Sequence, residues 1–276
     1  MPTPFVPFQS LRNKARGAMG VVVAACFLAG CATTGGGVQT ETAPNSAAEA
    51  EVHRLAQTRL QLAAMHFEEG RIEVALGEVA QALQVSPQYP DAYNLKGWIH
   101  MSQQDYPAAH ESFARALALR PGNADALYNM GWLQCQQKQF ESADRNFDAA
   151  LAAPRSTGQS VTRILLAKGV CLLGAGQGAA ALKSLGQAYE LEPGSPAVAY
   201  NFANALHVQG ETERARFYVR RINNSQWSSA QSLWLGIKVE RRLGDSVAMR
   251  QLADQLQKRF PDSKEWQRFE QGAFDD

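Results

Sequence analysis

Residues 124–151 read ADALYNMGWLQCQQKQFESADRNFDAAL, and the small and bulky residues of this stretch recur at a fixed distance along the chain. The members of each of the following sets are separated by one period of about 34 residues: Ala63, Gly97 and Gly131; Ala75, Ala109 and Ala143; Val79, Phe113 and Phe147; and Ala82, Ala116 and Ala150. After Gly131 the next member, Gly169, comes four positions later than this period predicts, and the period resumes at Ala203 and Ile237. The chain therefore repeats one structural unit about six times.

This period and its residues resemble the tetratricopeptide repeat (TPR), in which each unit is a pair of antiparallel helices. Small residues at the crossing let the two helices approach closely, and Phe113 and Phe147 fill the space between them. Pro121 and Pro193 end second helices, because the residue before a proline is disfavoured in the α region. The sequence predicts an all-α fold, a right-handed α-solenoid of about six TPR helix pairs with a short capping helix at residues 264–271. The repeats start near residues 56, 90, 124, 162, 196 and 230.

The first thirty residues have the pattern of a secretory signal peptide. Three basic residues, Arg12, Lys14 and Arg16, precede the short apolar run 17–29, and no acidic residue occurs before Glu41. Residues 28–31 read Leu-Ala-Gly-Cys, which resembles the lipobox of bacterial lipoproteins. That resemblance implies cleavage before Cys31 and acyl chains on its thiol and amino groups. The alternative is an ordinary secretory signal with an incidental cysteine.

The residues that follow Cys31 imply a destination and a tether. In such lipoproteins Asp after the lipidated Cys retains the protein at the inner membrane, whereas Ala32 and Thr33 follow here. The resemblance thus implies a lipid anchor in the outer membrane, with the protein facing the periplasm. Residues 31–50 are small, polar and Gly-rich, which predicts a flexible linker reaching about 25 Å. We expect the TPR domain to occupy residues 51–276.

The composition is that of a folded protein without a nucleic-acid-binding surface. Hydrophobic residues make up 45% of the chain, which is too many for a disordered tail. The 27 basic and 26 acidic residues nearly balance, so no basic excess indicates phosphate binding. No stretch of about 20 apolar residues is present to span a bilayer. We therefore expect no nucleic acid among the partners.

Two of the four cysteines, Cys135 and Cys171, remain once the signal peptide and the lipidated Cys31 are set aside. In an oxidising periplasm this pair could form a disulfide. The alternative is two buried thiols on neighbouring helices, and we favour it because Cys is commonly buried unpaired.

Converging catalytic or metal-binding groups are not evident in the sequence. His66 and His100 occupy equivalent repeat positions, where we expect them to pack rather than to bind a metal, which needs three or four ligands. The run Gly174–Gly178 superficially resembles a phosphate-binding loop, but it falls at the turn of the fourth repeat with no strand before it. We expect no enzyme activity, cofactor, metal or small-molecule substrate. An enzyme with an unrecognised site is the alternative.

The surface that remains for function is the groove lined by the first helix of each repeat. The TPR resemblance implies which positions of that helix face the groove, and here they are aromatic, aliphatic or amide-bearing with almost no charge. Such a lining suits an apolar helix or extended segment of a partner protein. The alternative is that Trp98 and Trp132 pack on neighbouring repeats. The predicted groove residues are Leu60, Phe67, Asn94, Trp98, Met101, Tyr128, Asn129, Trp132, Tyr200 and Asn201.

Three segments resemble the PilF/PilW family of type IV pilus biogenesis lipoproteins. They are residues 165–177, LLAKGVCLLGAGQ; residues 233–244, LWLGIKVERRLG; and residues 258–263, KRFPDS. The family implies a pilotin role, in which the protein binds PilQ-like secretin subunits and promotes their localisation to the outer membrane and their multimerisation. The alternative is a TPR lipoprotein adaptor that recruits peptidoglycan hydrolases or other envelope-assembly factors.

Overall fold

The computed structural model describes residues 43–154 and 158–274, and within these residues the chain forms thirteen α-helices and no strand. The predicted signal peptide 1–30 and the predicted lipid site Cys31 lie outside the described residues. The helices are α1 (Ala43–Glu68), α2 (Ile72–Val85), α3 (Pro90–Ser102), α4 (Tyr106–Leu119), α5 (Ala124–Gln136), α6 (Phe140–Ala152), α7 (Gly158–Gly174), α8 (Gly178–Leu191), α9 (Pro196–Val208), α10 (Thr212–Asn223), α11 (Ala230–Leu243), α12 (Ser246–Arg259) and α13 (Lys264–Glu270).

Helix α1 begins earlier than the sequence analysis predicts. Its first residue is Ala43, so residues 43–50 belong to a helix and the predicted flexible linker 31–50 is wrong over its last eight residues. The small, polar composition suggested a coil, but residues 47–51, AAEAE, are among the best helix formers. They continue the helix that the first repeat already stabilises, because adding a residue to an existing helix is far easier than starting one.

The chain divides into two compact units, the first ending at Ile99 and the second beginning at His100. In the first unit α1 packs against α2. Its core is built from small residues of α1 and α2, such as Ala63 and Ala75, which are fully buried, together with Val79 and with Leu95 and Ile99 of α3.

In the second unit successive helices pack on one another as repeated pairs. The pairs are α5 with α6, α7 with α8, α9 with α10, and α11 with α12, and the second helix of each pair also contacts the first helix of the next. First helices of successive repeats touch as well, α5 with α7, α7 with α9, and α9 with α11. Helices α3, α5, α9 and α11 begin at residues 90, 124, 196 and 230, where the sequence predicts repeat starts. Helices α1 and α7 begin at residues 43 and 158, earlier than the predicted starts near 56 and 162.

Glycine permits the close approach of the two helices within a repeat. A Cβ atom placed on Gly131 would lie 3.1 Å from the ring of Phe147 and 3.2 Å from the carbonyl oxygen of Ala143. A Cβ on Gly169 would lie 2.4 Å from Cγ of Leu185, which is fully buried. The periodic pattern of small residues therefore marks real helix crossings, as the sequence predicts.

The ends of the helices follow local side-chain chemistry. Asn123 and Ser195 accept hydrogen bonds from backbone N–H groups in the first turns of α5 and α9, which would otherwise lack a partner. Helices α4 and α8 end two residues before Pro121 and Pro193, as predicted. The Gly-rich run 174–178 forms the turn between α7 and α8, where Gly176 has a φ of +74°. This turn confirms the structural interpretation of the run over the phosphate-loop interpretation.

Helix α13, at Lys264–Glu270, agrees within one residue with the predicted capping helix. It contacts both α11 and α12. Trp266, Phe269 and Phe274 pack against a cluster of buried residues that includes Leu233 and Trp234. The last repeat of the chain thus has an apolar surface that the C-terminal segment covers.

Candidate functional site

The ten predicted groove residues all lie on first helices of their repeats. Leu60 and Phe67 are on α1, the next three on α3, three on α5, and Tyr200 and Asn201 on α9. Their exposure differs widely. Five are partly exposed: Phe67, Trp98, Met101, Tyr200 and Asn201. Five are buried: Leu60, Asn94, Tyr128, Asn129 and Trp132.

In the first unit only part of the predicted surface is accessible. Leu60 is 7% exposed and belongs to the core, where Phe67 packs partly against it. Asn94 is also buried. Trp98 retains a partly exposed indole on α3, and it is the aromatic side chain of this unit that fits the groove prediction best.

In the second unit the face shared by α5 and α7 is closed. We use "α5/α7 face" for Tyr128, Trp132 and Cys135 on α5 together with Arg163 and Cys171 on α7. The Arg163 guanidinium lies 4.5 Å from the Tyr128 ring centroid and donates to Oδ1 of Asp125 at 2.5 Å. Burial raises the pKa of the Tyr128 phenol, and the positive charge of Arg163 opposes that rise.

Trp132 is 7% exposed, so the expectation of an exposed aromatic anchor is wrong at this position. The alternative interpretation, in which the tryptophan packs within the repeats, describes Trp132 correctly. Trp132 lies on α5, a helix that packs against α4, α6 and α7.

Cys135 and Cys171 form a disulfide between α5 and α7, with their Cα atoms 5.7 Å apart. The preference for two unpaired buried thiols is therefore wrong. The two cysteines are 36 residues apart and do not occupy equivalent repeat positions, so the repeat register gave no signal for the pair. Their pairing depends on how the first helices of repeats three and four face each other.

The face shared by α9 and α11 also lies on two successive first helices, and it carries charge. We use "α9/α11 face" for Tyr200 and His207 on α9 together with Trp234, Lys238 and Arg241 on α11. Burial and the negative charge of Glu265 raise the pKa of Tyr200. Asn201, next to Tyr200, donates from its amide to the carbonyl oxygen of Ala197 at 2.8 Å, so this side chain is engaged within its own helix.

His207 is in an unusual environment on this face. Burial, followed by the positive charges of Lys238 and Arg242, lowers the pKa of His207 to about 4. Its Nδ1 atom is buried and has no hydrogen-bond partner among the described residues. A neutral imidazole beside two cations is therefore the state that the fold favours.

The α11 residues of this face were absent from the predicted groove set. Trp234 follows Tyr200 by one repeat period and corresponds to Tyr128 in the same repeat register, so the period itself was the signal that could have found it. Phe274 stacks on Trp234 with ring centroids 5.3 Å apart, and the Arg241 guanidinium lies 4.2 Å from the Phe274 centroid. The C-terminal segment thus already lies on a first-helix face.

The described residues show no constellation suited to metal chemistry. Over 43–154 and 158–274, no group of three or more His, Cys, Asp or Glu side chains could hold a metal ion. His66 and His100 each lie 3.6 Å from a carboxylate oxygen, of Glu69 and Asp105 respectively. Across the same residues, no helix has both the length and the hydropathy that crossing a membrane requires.

Comparisons with known proteins identify the repeat. Sequence models of the tetratricopeptide repeat match residues 60–124, 100–157 and 172–231, which together span more than half of the chain. No curated protein sequence matches the chain significantly.

Solved structures of TPR proteins superpose over most of the chain. PilF of Pseudomonas aeruginosa is 24% identical with a TM-score of 0.71, covering 80% of this chain and 99% of its own. PilW, a widely conserved type IV pilus biogenesis factor, is 26% identical with a TM-score of 0.73, covering 78% of this chain and 97% of its own. YrrB, a TPR protein with an unusual peptide-binding site, is 18% identical with a TM-score of 0.55, covering 70% and 97%. The chain therefore belongs to the tetratricopeptide-repeat family and is similar to PilF and to the type IV pilus biogenesis factor PilW.

Proposed function

We propose that this protein is a non-enzymatic outer-membrane lipoprotein for type IV pilus biogenesis that binds secretin subunits through its TPR surface. The observation that carries this proposal is the similarity to PilF and PilW, whose chains are matched over 99% and 97% of their lengths. A TPR domain presents protein-binding surface rather than catalytic groups, which is consistent with a scaffold role.

The anchor in this proposal is lipid on Cys31. The Leu-Ala-Gly-Cys sequence at residues 28–31 supports it, and Ala32 and Thr33 support sorting to the outer membrane. One acyl chain alone binds a membrane only marginally, so the multiple chains of a lipoprotein are what make the anchor firm. The folded repeats would then lie in the periplasm beside the membrane in which the secretin assembles.

The binding surface in this proposal is the partly exposed portion of the first-helix positions. Trp98 is the leading candidate, together with Phe67 in the same unit, because both are apolar and neither is fully buried. Large aromatic side chains contribute a disproportionate share of binding free energy at protein interfaces. An apolar secretin segment that would otherwise aggregate is the kind of ligand that these residues fit.

Anchoring explains how binding would promote multimerisation. Secretin subunits held by proteins on one membrane meet at a raised effective concentration, which favours a ring without any additional contact. Secretin binding and membrane anchoring can therefore be tested separately, each with a variant of its own.

The test is an unheated gel of outer-membrane fractions, probed for secretin multimers, in a strain that lacks this protein. We expect secretin multimers to disappear and secretin monomer to accumulate.

The variants separate anchoring from binding. The Cys31→Ala protein should fold, but it should not bring the secretin to the outer membrane. Trp98→Ala should reduce secretin binding, and Trp227→Ala is the matched control, since Trp227 is 62% exposed in the loop between α10 and α11. Multimers that persist at the normal level in the deletion strain would contradict the proposal and direct the search to other envelope-assembly partners.

A further inference from the structure

The C-terminal segment shows what kind of side chain the α9/α11 face accepts. Phe274 lies between two α11 side chains, stacked on the Trp234 indole and beneath the Arg241 guanidinium. It also meets Phe269 of α13 edge to face, with ring centroids 5.9 Å apart. Aromatic pairs and cation–π contacts of this kind are directional, so this part of the apolar surface holds an aromatic ring in a defined position.

The same face is rich in positive charge. Lys238, Arg241 and Arg242 fall close together near the end of α11, and the Lys238 ammonium lies 6.0 Å from the Trp234 ring. The Arg242 guanidinium lies beside the turn after α9, 4.0 Å from where a Cβ on Gly210 would be. Cations near a helix C-terminus stabilise the helix dipole, which accounts for part of this enrichment. It does not account for Arg241 covering the ring of Phe274.

His207 adds a buried ring nitrogen to this face. Its Nδ1 atom is buried without a hydrogen-bond partner among the described residues, although a buried ring nitrogen normally has one. Lys238 and Arg242 are near enough to disfavour the protonated ring. A carboxylate on this face would lie near Lys238 and Arg242 and could accept a hydrogen bond from the imidazole.

We propose that the α9/α11 face is a binding site for a peptide segment that carries an aromatic side chain next to carboxylates, and that the chain's own Phe274 occupies its aromatic seat when no such partner is present. The chain continues after Phe274 with Asp275 and Asp276, which lie outside the described residues. Its own sequence therefore places an aromatic side chain next to two carboxylates, as in the proposed partner. The inference goes beyond the proposed function and does not depend on a secretin being the partner.

The experiment removes Phe274 from the chain and supplies the same C-terminal sequence as a separate peptide. The protein is the full chain ending at Ala273, and the probe is a synthetic peptide of the sequence of residues 271–276, QGAFDD, acetylated and amidated. Binding is followed by NMR on the indole N–H of Trp234. We expect the shortened chain to bind the peptide at least tenfold more tightly than the intact chain does. The full-length variant Phe274→Ala should bind it as well, which covers the case in which shortening impairs folding.

Control peptides and variants separate the two parts of the site. In the shortened chain, Lys238→Ala with Arg241→Ala should weaken peptide binding at least tenfold, and Arg145→Ala on α6 should leave it unchanged. Peptides QGASDD and QGAFNN should each bind more weakly than QGAFDD. The inference is overturned if Trp234 does not respond to millimolar peptide, if QGAFNN binds as well as QGAFDD, or if the two α11 substitutions have no effect. No secretin is present, so such a failure leaves the proposed function standing.

Discussion

The α5/α7 face and the α9/α11 face each lie on two successive first helices, yet they are closed in different ways. The first is closed by a disulfide between its two helices, and its Trp132 is buried. The second is covered by Phe274, which makes only non-covalent contacts with Trp234 and Arg241. One face is therefore closed by a covalent bond and the other by non-covalent contacts, and the second is the face for which we propose a partner.

Opening the α5/α7 face should produce the largest change in stability. Replacing both Cys135 and Cys171 by alanine removes a cross-link between residues 36 apart, and we expect the free energy of unfolding to fall by about 3–4 kcal/mol. Denaturant unfolding with and without a reductant measures this, because the double variant should not respond to the reductant. Equal midpoints for the reduced and oxidised parent chain would contradict a stabilising role for the bond.

Crowding the helix crossing behind the same face should have the next largest effect. Gly169→Ala places a Cβ against the buried Leu185, and we expect a loss of about 1–3 kcal/mol in the free energy of unfolding. Gly186→Ala on α8 is the matched control, because its Cβ would meet Phe202 at an ordinary 3.6 Å. That control should gain about 0.5–1 kcal/mol from helix propensity. A Gly169→Ala chain as stable as the control would show that α7 and α8 can separate freely.

Acidification should destabilise the α9/α11 face selectively through His207. The fold lowers the pKa of His207 from 6.5 to about 4, chiefly by burial. Well above pH 6.5 the ring is neutral in both the folded and unfolded chain. As the pH falls from 6.5 to about 4, the unfolded chain takes up a proton that the folded chain does not, so stability decreases.

We expect this loss to reach about 1–2 kcal/mol once solvent screening is allowed for. Unfolding free energies of the parent chain and of His207→Gln between pH 7 and 4 measure it as a difference, and an NMR titration gives the pKa directly. Parallel pH profiles for the two chains would contradict the assignment.

The smallest expected effects concern the one arrangement that both faces share, an arginine guanidinium over an aromatic ring. Arg163 lies over Tyr128 on the first face, and Arg241 lies over Phe274 on the second. Lysine lacks the planar guanidinium, so Arg163→Lys and Arg241→Lys should each lower the free energy of unfolding by about 0.5–1 kcal/mol. Denaturant unfolding of the two variants gives both values under the same conditions. A much larger loss in either variant, comparable to that of Gly169→Ala, would mean that the arginine supports its face more than the stacking accounts for.

The sequence predicts well whatever depends on contacts within one repeat. Gly131 and Gly169 mark the helix crossings, and the starts of α3, α5, α9 and α11 agree with the repeat register. These features follow from periodicity, because each helix packs on the one that follows it along the chain.

Contacts between first helices of successive repeats were harder to predict. The Cys135–Cys171 bond depends on the orientation of α5 against α7 across the four-residue insertion near residue 154. The docking of Phe274 on Trp234 brings the chain back to α11 through an irregular segment that has no repeat pattern. Trp132 is buried and Trp98 is partly exposed, although both lie at the same repeat position, so the repeat register could not separate them.

The position of the disulfide also affects how the repeats would come apart. In an array in which each pair touches mainly its neighbours, local opening starts at an end and spreads inward one pair at a time. The disulfide joins the third helix pair to the fourth. Local unfolding that begins at α13 can therefore detach the last two pairs, but it cannot separate α7 from α5 while the disulfide is intact. The amide hydrogens of α5 to α8 should therefore exchange most slowly in the second unit, and the covered face of α11 lies in the part that opens first.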